Sequence, residues 1–213
     1  MLTVWEAIKM RRSIRKFAQD DVPEDILTQM FEAARLAPSG HNHQPWRFLV
    51  VRNQKQKDEL CRMCRGQRFI QEAPVVIVCF GDLNRYKLQA TRQVHQELVE
   101  LGVADGRSNY LVEPGQGKPA EGMGAMALED ALSHLKANSY IAIEHLVLMA
   151  TAMGLGTCWV SRISGLAEVN RLFSLGDNLV PVALVALGYA AGGQPPPRPR
   201  LSRQEIMIEA QTD

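Results

Sequence analysis

The stretch APVVIVCF, Ala73 to Phe80, decides the fold class. It is almost wholly apolar, the pattern of a strand in a sheet interior covered on both faces. Upstream, Gln54 to Arg65 reads as a polar, surface-like helix and Arg47 to Arg52 as a second strand. Thr3-Val-Trp-Glu6 has the form of a capping box and predicts a helix running to about Lys9. Asp20-Asp21-Val22-Pro23 predicts another helix start, with proline near its first position. Ile26, Leu27, Met30, Phe31 and Ala34 give that helix an apolar stripe, and Pro38-Ser39-Gly40 stops it.

Downstream, Leu83 to Leu101 reads as helical. Gly102 to Gly124 holds six glycines and two prolines with little apolar periodicity, which predicts a mobile lid or connection. Ala125 to Met153 is a long helical run, apolar on nearly every face, of the kind buried in a domain centre or an interface. Thr157 to Ser161 follows as a short strand, Leu166 to Phe173 as a helix and Leu179 to Tyr189 as an apolar strand. The tail GGQPPPRPRLSRQEIM is extended through its prolines, and the chain contains no internal repeat. This order predicts one α+β domain over residues 1–213 with a sheet of four or more strands packed between helices. The segment 83–123 is its variable part, and residues 192–213 form an extended tail.

A length of 213 residues supports one such domain with a substantial core. The formal net charge of +1 offers no overall field for nucleic acid or an anionic membrane, so neither is expected as a partner. The longest apolar segment, Leu179 to Ala191, is too short to span a bilayer. The start, MLTVWEAIKMRRS, does not have the form of a signal peptide. Cys61, Cys64, Cys79 and Cys158 are too few for a disulfide scaffold and fit a reducing cytoplasm. The Cys61/Cys64 pair lies inside a helix-like run, away from the helix start that a low-pKa redox cysteine would occupy, and reads as structural.

Several chemistries are absent from the sequence. It has no GxSxG elbow, no HExxH motif and no GxxxxGK[ST] phosphate loop. Gly154-Leu-Gly156-Thr-Cys-Trp159 lacks the third glycine of a dinucleotide turn and enters a strand instead of leaving one. The histidines do not fall at metal-ligand spacing: His41 and His43 read as solvated loop residues, His134 and His145 as core or interface residues. What remains is anion chemistry. Arg11-Arg12-Ser13-Ile14-Arg15-Lys16-Phe17 packs four cations and a hydroxyl into one turn or tight bend, a match for phosphate oxygens. The same run also fits a solvated basic stretch at a helix C-terminus, favoured by the helix dipole. Arg198-Pro-Arg200, after a rigid triple proline, supplies a second basic pair. In LAPSGHNHQPWRFLVV, Pro38-Ser39-Gly40 allows backbone to approach a flat ligand, and Asn42 and Gln44 offer donors and acceptors to a heterocycle edge. A flat, phosphate-bearing ligand with a polar edge is a mononucleotide or a flavin.

Taken together, the runs RRSIRKF, APSGHNHQPWRFLVV, QEAPVVIVC, MGLGTCWVS and PRPRLSRQEI resemble signatures of the FMN-dependent nitroreductase family, in the family's order. The resemblance spans nearly the whole chain and departs from the family mainly between Gly81 and Gly124. It implies a nitroreductase-like α+β fold with a mainly antiparallel sheet and a long buried helix at a homodimer interface that holds two FMN sites. It further implies that Arg11, Arg12, Ser13, Arg15, Arg198 and Arg200 hold the FMN phosphate and ribityl chain. Pro38, Ser39, Gly40 and Asn42 would come from the partner subunit, Gln67 would meet the pyrimidine ring, and Trp159, Val160 and Ser161 would pass the isoalloxazine near N5. Many relatives carry glycine where this chain has Ser161. No side-chain acid or base and no metal is implied, because the flavin carries the hydride chemistry. The implied activity is a ping-pong transfer from NADH or NADPH, through FMN, to a nitroaromatic, a quinone or a similar small-molecule electron acceptor. Alternatives on the same fold are reductive dehalogenation, enoate reduction, flavin fragmentation, and non-catalytic FMN binding.

Overall fold

The apolar run lies where its pattern demands. In a computed structural model, which describes residues 1–103 and 127–208, Val75–Asp82 form β2, and every residue of that strand is buried. The described residues contain four strands in one antiparallel sheet of order β1-β2-β4-β3, with β1 at Trp46–Val51, β3 at Gly156–Val160 and β4 at Leu179–Gly188. Strand side chains alternate between faces, so β2 feeds two cores. Val75, Ile77 and Cys79 join Ala183, Val185 and Leu187 beneath α2 (Glu24–Arg35) and α6 (Leu128–Ala152). Val76, Val78 and Phe80 join Leu184 and Ala186 beneath α3 (Gln54–Met63), α4 (Phe69–Glu72) and α7 (Leu166–Leu172). A sheet covered on both faces needs no polar side to its central strands, which is why the run is apolar although the sheet is antiparallel.

The central pairing carries one irregularity. Phe80 faces Pro181 and Cys79 faces Ala183, so Val182 is an extra residue bulged out of β4. Pro181 has no N–H to give a ladder, and a bulge is one of the few places in a sheet that tolerates it.

Most helix ends follow their sequence signals. Thr3 and Glu6 exchange hydrogen bonds in a full capping box at the start of α1 (Val4–Met10). Leu27, Met30 and Ala34 of α2 are buried, flanked by the partly buried Ile26 and Phe31. Three expectations need correction. Helix α3 is not a surface helix: Lys57, Leu60, Cys61 and Met63 are buried against the sheet, and the Lys57 ammonium donates to the Ala73 carbonyl at 2.7 Å. The Leu83–Leu101 helix is interrupted, because the Asp82 carboxylate accepts from the Asn84 N–H and closes a 3₁₀ turn at Leu83–Tyr86 before α5 (Leu88–Glu100). In the tail, Ser202 and Glu205 form a second capping box that starts a short α8 (Arg203–Ile206). That signal was present in the sequence as S-x-x-E. The predicted lid falls largely on residues 104–126, outside the described residues.

Candidate functional site

The basic run near the N-terminus owes its position to two buried side chains. Helix α1 ends at Met10, and Arg11 takes an extended conformation, φ −53° and ψ 127°. From there the chain is extended between two isolated bridges, with a bend at Lys16. Ser13 bridges Thr157 of β3 in parallel, and the Ile14 N–H donates to the Thr157 carbonyl at 2.8 Å. Phe17 bridges Ala190, and the Ala191 N–H donates to the Lys16 carbonyl at 3.0 Å. Ile14 and Phe17 are buried anchors, and the neighbouring Ser13, Arg15 and Lys16 are exposed. Gly156 permits this docking: a Cβ there would lie 2.5 Å from Ile14 Cγ1.

After β4 the chain turns through Gly192 and Gly193, both with positive φ (77° and 87°), a conformation that glycine adopts without strain. The turn brings the proline segment alongside the basic run. A cleft of about 480 Å³ results, lined on one side by Arg11, Arg12, Ser13, Arg15 and Lys16 and on the other by Gln194, Arg198 and Arg200. Two arginine clusters almost 190 residues apart in sequence thus share one cavity. Among the described residues, none of these six cations has a carboxylate within salt-bridge distance. Arg12 is the most constrained. Its Nη1 donates to the Lys9 and Arg11 carbonyls at 2.6 and 2.9 Å, closing the C-terminus of α1, while its buried Nε has no partner. Arg15 lies over the Phe69 ring, 5.7 Å from its centroid. Glu144 of α6 feels the positive charge of Arg11, yet burial is the larger effect and holds its carboxyl above the usual range. Lys16 and Gln194 were not anticipated as site residues. Lys16 was legible in the basic run itself, whereas Gln194 joins only through the turn after β4.

The remaining site candidates lie outside this cleft. Pro38 to Asn42 connect α2 to β1 and are tied to α6 and to the 83–86 turn. The Gly40 N–H donates to Asn138 Oδ1 at 3.0 Å, and Asn138 Nδ2 donates to the Tyr86 hydroxyl at 2.8 Å. His43 is buried, not solvated: its ring Nδ1 donates to the Arg85 carbonyl at 2.8 Å, and Arg85 Nε donates back to the His43 carbonyl at 2.8 Å. Burial holds the His43 pKa below the ordinary imidazole value, against the pull of its hydrogen bond to Arg85. Gln67 sits in the α3–α4 turn, where Nε2 donates to the Cys64 carbonyl at 3.1 Å. Trp159 is half-buried and meets Tyr140 edge to face at 5.3 Å; Val160 is buried and Ser161 is exposed at the end of β3. Cys61 and Cys64 are buried free thiols, and desolvation pushes Cys64 up to about 11, the opposite of a redox-active thiolate. Among the described residues no His/Cys/Asp/Glu group has the makings of a metal site, and no helix is long and apolar enough to cross a membrane.

Known proteins resemble this chain over most of its length. Residues 8–189 match the model of the nitroreductase family. An NADH dehydrogenase of Thermus thermophilus is 35% identical over 181 residues, spanning 85% of this chain and 83% of that protein. A structure from Exiguobacterium sibiricum, solved in complex with FMN, superimposes with a TM-score of 0.77 at 27% identity, covering 99% of this chain and 98% of the other. An iodotyrosine deiodinase of Thermotoga neapolitana is 24% identical over 213 residues, the full length of both chains. The family match takes in the basic run, the strained connection after α2 and all four strands of the sheet, and on that extent the chain belongs to the nitroreductase family.

Proposed function

We propose that this chain is an FMN-dependent oxidoreductase that accepts a hydride from NADH or NADPH and delivers it by a ping-pong mechanism to a nitroaromatic, a quinone or a similar small acceptor. One observation carries the reading: Arg11, Arg15, Lys16, Arg198 and Arg200 converge on a cleft in which, among the described residues, no carboxylate pairs with them. A phosphomonoester supplies the anion such a donor set is suited to, and the buried, unpartnered Arg12 Nε adds one more donor beside it. FMN, when bound, supplies the hydride chemistry.

The protein's own part is to bind and orient. Arg11, Arg12, Ser13, Arg15, Arg198 and Arg200 hold the phosphate and ribityl chain. Trp159, Val160 and Ser161 run beside the ring, and Gln67 serves its pyrimidine edge. Pro38, Ser39, Gly40 and Asn42 are assigned to the flavin site of a second copy; in their own chain they, like Gln67 and Trp159 to Ser161, line none of the cleft. A homodimer is further supported by exposed apolar side chains. Val4, Trp5 and Ile8 on α1 and Leu201, Ile206 and Ile208 in the tail are exposed apolar side chains that a partner surface would cover. Four buried free thiols suit a reducing cytoplasm.

Reductive dehalogenation is a second reading, favoured by the deiodinase relative that aligns over the whole of both chains. The deciding experiment is an absorbance spectrum of the purified protein followed by anaerobic addition of NADH or NADPH, with sedimentation of the same sample. A flavin band that bleaches with either donor, in a particle of twice the 23.7 kDa chain mass, is the expected result. A band that persists with both donors moves the reading to another electron source, and bleaching followed by turnover of only halogenated phenols selects the dehalogenase. No band after addition of FMN overturns both readings.

A further inference from the structure

The connection after α2 is strained, and the strain has an identifiable brace. His41, Asn42 and Gln44 have φ of 48°, 52° and 45°, in the left-handed region, and none of them is glycine. Backbone in such sparsely populated regions persists only where the surroundings over-determine it, and it concentrates at ligand-binding sites. Here the surroundings are specific. Asn138 is a buried polar residue in the middle of α6, where an apolar side chain would pack with less cost. Its Oδ1 accepts the Gly40 N–H at 3.0 Å and its Nδ2 donates to the Tyr86 hydroxyl at 2.8 Å. Tyr86 in turn lies against the His43 ring, with centroids 4.4 Å apart, and His43 and Arg85 exchange two hydrogen bonds. Within the loop, Ser39 Oγ accepts the Gln44 N–H at 3.0 Å. The strained residues are thus held from inside by Ser39 and from outside by a chain of contacts that begins at Asn138.

We infer that Asn138, acting with Tyr86, is a positioning residue for the flavin ring: it fixes the shape that segment 39–42 presents to the flavin of the second copy. The inference rests on the reading of this segment as a flavin wall. Asn138 itself is not among the residues that line the cationic cleft, so its effect is exerted through the backbone of Gly40. A carboxylate at 138 would preserve both contacts, accepting from the Gly40 N–H and from the Tyr86 O–H, whereas alanine would abolish both.

The test compares the full-length wild type with Asn138→Ala, Asn138→Asp and Tyr86→Phe. FMN affinity is read by titration, and the ring environment by visible circular dichroism of the bound flavin. Asn138→Ala is expected to weaken FMN by about tenfold, the scale of one lost buried hydrogen bond. It should also change the flavin dichroism while leaving the dissociation constant of inorganic phosphate unaltered, because the phosphate cleft is separate. Asn138→Asp should restore affinity and dichroism to near the wild-type values. Should the alanine variant fail to fold, Tyr86→Phe, which removes one hydroxyl, decides: altered dichroism with weaker FMN supports the inference. Wild-type affinity and dichroism in Asn138→Ala, or in Tyr86→Phe if alanine does not fold, overturn it while leaving the FMN reading intact. Absence of FMN binding in the wild type itself overturns the FMN reading together with the inference.

Discussion

Arg11 and Arg12 are adjacent in sequence and differ in what holds them. Arg12 turns back and gives Nη1 to two carbonyls at the end of α1, whereas the Arg11 guanidinium makes no hydrogen bond among the described residues and looks onto the cleft. The basic run therefore divides: one arginine closes a helix C-terminus, and its neighbours line the cleft proposed for the phosphate. Arg200 reaches the same cavity from the tail and is exposed. Replacing Arg11 and Arg200 together by alanine removes two charge-assisted contacts of ~1.5–3 kcal/mol each, with the exposed Arg200 at or below the low end through solvent screening. FMN affinity should fall by roughly a hundredfold. Riboflavin, which lacks the phosphate, should bind the variant and the wild type alike. Unchanged FMN affinity would place the phosphate elsewhere. At this scale the cationic lining of the cleft was largely legible, because arginines in non-repetitive segments announce themselves. His43 was not: its burial depends on Arg85 and Tyr86, more than 40 residues away, and no local pattern encodes that.

At the scale of elements, the decisive event is the docking of an irregular segment onto a regular one. Residues 13–17 have no secondary structure of their own beyond two bridges, yet they link the start of β3 to the end of β4. Gly156→Ala tests this docking, since the added Cβ would meet Ile14 Cγ1 at 2.5 Å and Ile14 Cβ at 2.9 Å. Overpacking of this kind costs ~1–3 kcal/mol. In a chain of this size that lowers the melting temperature by roughly 2–4 °C per kcal/mol. FMN binding should weaken in parallel, because the cleft wall shifts with Ile14. Combining the change with Ile14→Ala should recover part of the affinity, a coupling expected only of residues in direct contact. Independent, additive losses would show that the segment is held by something other than this contact. Helix α3 shows the limit of reading elements from composition: its lysines, aspartate and glutamate suggest a free surface, but only one face is solvated, and Leu60, Cys61 and Met63 form a stripe against the sheet.

At the scale of the whole molecule, burial of four thiols on one sheet and its covering helix makes stability sensitive to alkali. Desolvation raises the pKa of Cys61, Cys79 and Cys158 and takes Cys64 to about 11. An unfolded cysteine releases its proton near pH 8.5. Above that value the unfolded chain binds fewer protons than the folded one, so stability falls as pH rises. The contribution of these groups is complete below about pH 8.5 and is lost progressively towards pH 11 for Cys64. The buried Lys57, whose pKa is lowered by desolvation, opposes the trend on the way up. The midpoint of urea unfolding should therefore hold between pH 7 and 8.5 and drop at pH 10, with a smaller drop in Cys64→Ala. An equal drop in that variant would assign the alkaline loss to other groups.

The sequence by itself determined most of the elements and the class of fold. Capping boxes, apolar periodicity and one wholly apolar strand are local patterns, and each reports burial or its absence without reference to distant residues. It also carried the two arginine clusters and, through five ordered motifs, the family. Tertiary structure alone decided that the two clusters share one cleft, through Ile14 seated on Gly156 and the turn at Gly192 and Gly193. It also decided that the connection after α2 is braced by Asn138 from a helix almost a hundred residues away. Such contacts depend on how β3, β4 and α6 are arranged around the sheet. That arrangement follows from burying both faces of β2 at once, a condition no single segment can express.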